Sequence, residues 1–214
     1  MKFQKYMAVG ILGLTMALGF SGCQSENQKN QDAYRKIGIN SMAEGDYDKA
    51  VKSFQKALDT SLGKIGAEEI DICYYKAAAQ FAKKDYDGAI ETYTSLIDYD
   101  KENANAYYLR GSVYLDTDKK DKAFKDYKNA VKYAGREYEI YEGIYENLTN
   151  KGETEEAKNY LKKALDIKPK DGADYAEQGH VYYLLEDYTQ AKSSLDRAID
   201  KDDKTALLYL SLIH

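Results

Sequence analysis

One proline, no tryptophan, two histidines and two cysteines are the shortages in this chain of 214 residues. With a single proline and only fifteen glycines, it has few of the turn formers that a β-sandwich or a loop-rich fold needs, so the composition points to helix. Two histidines and two cysteines are too few soft ligands for a Cys/His zinc cluster, and metal chemistry is not expected. A basic excess is also missing. The 31 Lys and Arg against 36 Asp and Glu give a formal net charge of −5, which argues against nucleic-acid binding. What is present is 43% hydrophobic and 31% charged residues, with twenty-two tyrosines, a composition that can bury a core and is not that of a disordered tail.

Residues 1–22 place Lys2 and Lys5 ahead of an apolar run, Met7 to Phe20, in which Thr15 is the one polar residue, with no acid before Glu26. This charge-then-apolar layout is that of an export signal. The run is shorter than the ~18 to 20 residues that span hydrocarbon, so a permanent membrane helix is not expected. Ser21 and Gly22 then stand directly before Cys23. The order resembles the bacterial lipoprotein signal, with Phe20 where that motif has an aliphatic residue. The resemblance implies a diacylglycerol thioether on Cys23 and an extracytoplasmic, lipid-anchored chain at the cell membrane or outer membrane. Two acyl chains suffice for stable anchoring. Without residues 1–22 the chain keeps 29 basic against 36 acidic residues, so lipid rather than a basic patch would hold it at an anionic bilayer. Gln24 to Gln31, poor in bulky apolar residues, reads as a flexible tether over 23–31.

From Asp32 one pattern recurs: an acidic or glycine-containing turn, then an alanine opening an amphipathic run. Gly45-Asp46-Tyr47-Asp48-Lys49-Ala50, Lys84-Asp85-Tyr86-Asp87-Gly88-Ala89 and Glu186-Asp187-Tyr188-Thr189-Gln190-Ala191 show it, with Asp118 to Ala123 and Gly152 to Ala157 between them. The alanines are separated by 39, 34, 34 and 34 residues, a period that marks a repeat architecture. In Ala50-Val51-Phe54-Ala57-Leu58 and Ala89-Ile90-Tyr93-Leu96-Ile97 the apolar residues fall on one helical face. No single hairpin could bury such a stripe, so stability must come from stacking on the next repeat. Thr60 to Glu69, with Gly63 and Gly66, holds the five extra residues of the first interval and is expected to loosen that joint.

These residues resemble the tetratricopeptide repeat. Ala50, Ala89, Ala123, Ala157 and Ala191 match its small second-helix residue, and Phe54, Tyr93, Tyr127, Leu161 and Leu195 its bulky plug. Tyr34, Tyr107, Tyr141 and Tyr175 stand where the family prefers tryptophan, and Gly38, Ala77, Gly111 and Gly179 are its close-packing residues. Tyr145 and Cys73 depart from the pattern, and Pro169 matches the closing proline once. The resemblance implies an all-α, right-handed superhelical solenoid of antiparallel helix pairs over 32–214, with five repeats and one further helix.

It also implies a concave surface built from the first helices. On that surface stand Arg35, Ile39 and Met42; Tyr74, Ala78 and Phe81; Tyr108, Ser112 and Leu115; Glu142, Glu146 and Thr149; and Ala176, His180 and Tyr183, bordered by Glu139 and Glu177. Its middle is apolar and aromatic and its fourth repeat acidic. With Arg35 the one cation among them, no carboxylate clamp of the chaperone-binding kind is expected. A peptide or protein segment with apolar anchors and a basic element would suit it. Glycan binding through the tyrosines is the alternative, weakened by the lack of tryptophan. Catalysis is not expected: there is no phosphate loop and no HExxH pair, and His180 has no motif-placed nucleophile beside it. No cofactor is called for. Cys73 reads as a small buried hydrophobe. Finally, Ala206 to His214 starts an apolar helix without its partner; either the array continues beyond it or this helix mediates self-association. The whole reads as a membrane-tethered interaction scaffold of the bacterial cell envelope.

Overall fold

The computed structural model describes residues 26–201 except 62 and 64. These residues contain ten α-helices and no strand: α1 Glu26–Ala43, α2 Tyr47–Asp59, α3 Ala67–Ala82, α4 Tyr86–Tyr99, α5 Ala104–Asp116, α6 Lys120–Tyr133, α7 Tyr138–Asn150, α8 Thr154–Ala164, α9 Gly172–Leu184 and α10 Tyr188–Asp200. They pair in order as five antiparallel hairpins. The export signal, Cys23 and the final apolar stretch lie outside the described residues.

Each hairpin turns the same way. Gly45, Lys84, Asp118, Gly152 and Glu186 all have positive φ, between 56° and 81°, and they recur at the interval of the alanines. A left-handed residue there reverses the chain, and the next amide reaches back to the last helical turn: Asp46 N donates to Ser41 O at 2.8 Å, Asp85 N to Gln80 O at 2.8 Å and Asp187 N to Tyr182 O at 3.0 Å. The following helix starts under an aspartate cap. Asp46, Asp85 and Asp187 accept from the amides of Lys49, Gly88 and Gln190 at 3.0–3.2 Å, satisfying donors that a helix start leaves orphaned.

The chain divides into two compact units, one up to Asp126 and one from Tyr127, with the boundary inside α6. In the first, Gly38 lets α1 approach α2 so closely that Phe54 fills the space where a side chain would stand. Ala50, Phe54, Ala57, Ile72 and Ala79 form one fully buried layer. Ala77, Ala89, Tyr93, Leu96, Ile97, Ala106 and Val113 form the next. In the second unit Gly179 sits against Leu195, which packs with Ala176 and Ala198, and Tyr127 meets Tyr160 edge-on at 6.2 Å. Each large side chain removed from water in these layers contributes about 1.5–3 kcal/mol, and the small residues opposite make the fit possible.

One expectation is corrected. The tether does not extend to residue 31: helix α1 begins at Glu26, and Gln31 is buried and donates to Glu69 Oε1 at 2.7 Å. Its polar residues, Glu, Gln and Lys, are good helix formers. Across the longer Thr60–Glu69 connection, α3 packs on α2. Ile72 and Ala79 of α3 close the layer around Phe54, and Lys76 and Lys83 donate to Gln55 and Asp48 of α2 at 2.7 and 3.0 Å. The added residues are taken up in the turn, where Gly63 has φ +79°.

Candidate functional site

The first helices carry the candidate surface, and each unit holds its own part. In the first unit, Arg35 of α1 is engaged by Asp71 of α3, Nε donating to Oδ2 at 2.9 Å, while its guanidinium lies 5.3 Å from the Tyr75 ring centre. Ile39 and Met42 are half-buried and pack on the Phe54 layer. Tyr74 is half-buried with its ring against Tyr93 at 6.3 Å, and its hydroxyl donates to Asn103 Oδ1 at 2.6 Å. That oxygen also caps α5 by accepting from Ala106 N at 3.0 Å. Phe81 meets Tyr86 edge-on at 5.6 Å. Tyr108 is half-buried. Ser112 and Leu115 are interior, each 2% exposed, and Ala78 is interior as well. Burial of Ser112 is possible because its hydroxyl donates to Tyr108 O at 2.9 Å, inside its own helix.

In the second unit, α7 and α9 present Glu142, Glu146, Glu177, His180 and Tyr183, all half-buried. His180 Nδ1 lies 2.9 Å from Glu142 Oε1, and the His180 ring stacks on Tyr183 at 6.4 Å and 14°. Burial on its own would lower the imidazole pKa. The hydrogen bond to Glu142 and the charges of Glu142, Glu177 and Glu146 outweigh it and raise the pKa above its ordinary value. Ala176 is fully buried beneath them.

Three features escaped the sequence reading. Arg110 of α5 clasps Asp126 of α6 with two hydrogen bonds, Nε to Oδ2 at 2.7 Å and Nη2 to Oδ1 at 2.9 Å, and also donates to Thr94 at 3.0 Å. Asp126 is 3% exposed, so this is a buried, hydrogen-bonded pair. Nothing local in the sequence distinguishes it from a solvated charge pattern. Next, a cleft of about 710 Å³ in the second unit is lined by Lys128, Lys132, Arg136, Lys163, Lys168 and Lys170, with Asp166 the one carboxylate among its walls. An acidic chain thus concentrates cations locally. Last, the sequence placed Glu142 and His180 on one surface but did not show that they meet, Nδ1 to Oε1, at 2.9 Å.

Cys73 is a free, half-buried thiol against the Tyr93 layer, and burial pushes its pKa up, outweighing Lys76. That is the environment of a packed thiol rather than a nucleophile.

The tetratricopeptide repeat matches residues 32–61, 104–136, 146–171 and 175–204, more than half of the chain, and a second description, TPR repeat, matches 77–118. The chain belongs to the tetratricopeptide repeat family. As a TPR chain it is a scaffold of the protein-interaction type. It is 21% identical over 217 aligned residues to anaphase-promoting complex subunit 3 of Schizosaccharomyces pombe, covering 88% of this chain but 33% of that protein. The TPR chain thus spans about a third of that relative's length. Among solved structures it is similar to MamA protein, at 22% identity and TM-score 0.50, over 83% of this chain and 94% of that one. It is also similar to pilF of Pseudomonas aeruginosa, at 17% identity and TM-score 0.52, over 83% and 78%. At these identities the likeness is one of fold.

Proposed function

We propose that this TPR protein is a lipid-tethered scaffold on the outer side of a bacterial membrane that holds a segment of a partner protein on its first-helix surface. The observation that carries the reading is the chemistry of that surface: half-buried aromatic side chains, Tyr74, Phe81 and Tyr108, in one unit and the acidic group of Glu142, Glu146 and Glu177 in the other. Aromatic side chains offer large contact area at low entropic cost, and fixed carboxylates select a basic register. A segment with apolar anchors and Lys or Arg is the partner that fits. Cys23 supplies the anchor, residues 23–25 the link to α1, and residues 1–22 the removed signal.

Because Tyr74 also holds the cap of α5, its truncation to alanine would confuse packing with binding. Tyr108→Ala and Glu146→Lys are the better probes. Cross-linked partners recovered from membranes by the full chain should fall at least tenfold with the pair of substitutions, and undiminished recovery from a folded variant refutes the surface. Cys23→Ser should move the protein from the membrane to the aqueous fraction on detergent phase partition. Retention in the membrane would refute the tether.

A further inference from the structure

Helix α7 carries Glu142 and Glu146 one turn apart, and α9 carries Glu177 and His180 one turn apart. Spacings of four and three residues put each pair on one helix face. One ligand atom each from Glu142, Glu177 and His180 lies within 4.8 Å of the others, and the imidazole Nδ1 is already 2.9 Å from Glu142 Oε1. Ligands bound at about 2.0–2.1 Å in a tetrahedral site stand about 3.4 Å apart. The Glu177 carboxylate therefore needs to close by at most about 1.4 Å, within the reach of its side-chain rotamers.

Charge favours a cation at this spot. Two half-buried carboxylates, Glu142 and Glu177, face the single imidazole of His180, and half-buried negative charge is stabilised by a multivalent counter-ion. The donor set narrows the class: an imidazole nitrogen with carboxylate oxygens suits zinc and its first-row neighbours better than magnesium or calcium, which prefer oxygen alone.

We propose that Glu142, Glu177 and His180 bind a divalent first-row transition metal ion, zinc being the representative, with the fourth position open to water or to a partner's side chain. The ion joins the first helices of two consecutive repeats, so its occupancy stiffens the second unit and adds a coordination point to its acidic surface.

Titration of ZnCl₂ into the chelator-treated full chain, followed by calorimetry, tests this. Saturable binding of one ion per chain is expected, together with a rise in Tm. Glu142→Gln and Glu177→Gln, which keep side-chain size, should each weaken binding about tenfold or more, as loss of a ligand or its support does. His180→Gln should do the same and abolish the visible absorption bands that Co²⁺ gains in the native protein. Glu155→Gln, at the exposed start of α8, should leave affinity unchanged. Absence of saturable binding by the folded chain overturns the proposal. So does binding that survives Glu142→Gln, Glu177→Gln and His180→Gln together, since the ion would then sit elsewhere, for example at Cys73.

Discussion

Substituting Gly38 by alanine ought to stabilise a helix, and in this protein it should do the opposite. In an isolated helix, alanine gains about 0.8–1.0 kcal/mol over glycine. At Gly38, however, an added Cβ would lie 2.5, 2.7 and 2.8 Å from Cε1, Cζ and Cδ1 of Phe54. Carbon atoms rest at about 3.5–4.0 Å, so α1 and α2 would have to part by roughly 1 Å. Phe54 cannot yield, because it is fully buried and stacked on Tyr75 at 5.6 Å. Overpacking of this kind costs about 1–3 kcal/mol, which leaves a net loss of up to about 2 kcal/mol after the propensity gain. Urea unfolding followed by circular dichroism measures it, alongside three companions. Ala33→Gly, exposed in the same helix, calibrates propensity alone at about 1 kcal/mol of loss. Phe54→Leu reports the cost of the smaller plug. The double variant Gly38→Ala/Phe54→Leu should be more stable than the sum of its parts by about 1 kcal/mol or more, as contacting residues couple. A gain in stability from Gly38→Ala alone would refute the close-approach argument.

The other predictions draw on separate parts of the molecule. Glu186 occupies a left-handed position with φ +66°, so Glu186→Gly should raise stability by about 1 kcal/mol in the same assay. Tyr74→Phe, which removes the hydroxyl bonded to Asn103, should cost about 1 kcal/mol, and Asn103→Ala should cost more because it also uncaps α5, an effect of about 0.5–2 kcal/mol by itself. Asp126→Asn should lower stability by about 3 kcal/mol or more, since it weakens the buried Arg110 clasp; Arg110→Lys should be less severe but still measurable. Glu68 gives a pH signature: burial first, then the hydrogen bond and charge of Asp32 and the charge of Glu69, outweigh Arg35 and raise its pKa to about 7 from 4.5. The native state therefore holds a proton that the unfolded chain releases earlier. The stabilisation it brings is complete below about pH 4.5 and is lost as pH rises to about 7. Screening at this half-exposed site reduces the unscreened ~3 kcal/mol to about 1 kcal/mol. The stability difference between the native sequence and Glu68→Gln, measured from pH 4.5 to 8, should show this slope, and a flat difference would contradict it.

Short-range chemistry made the hairpins readable from residues alone. The interval of the alanines, the aspartates before three of the second helices and the apolar residues at helical spacing act within a few turns of chain, so their meaning survives without knowledge of what lies opposite. The resemblance to the tetratricopeptide repeat marked Phe54 and Leu195 as plugs and Gly38 and Gly179 as close-packing residues, and the structure sets each glycine against its plug. The candidate surface was less legible. Ser112 and Leu115 follow the spacing of surface positions yet lie inside, because helical spacing fixes a residue's azimuth and not what packs over it. Gln31 looked like part of a tether until Glu69, thirty-eight residues away, gave it a partner.

Charged residues carry the sharpest division. Arg110 with Asp126 and Arg35 with Asp71 are indistinguishable in sequence from the many solvated lysines, aspartates and glutamates of this chain, and the surface spacing of His180 and Glu142 did not show that the two meet. Their pairing depends on how one hairpin rotates onto the next and on the length of each connection, which sum small local angles over thirty or more residues. Periodicity therefore specified the building unit, and stacking alone selected which charges meet, because electrostatic and coordination chemistry depends on ångström distances that no local spacing sets.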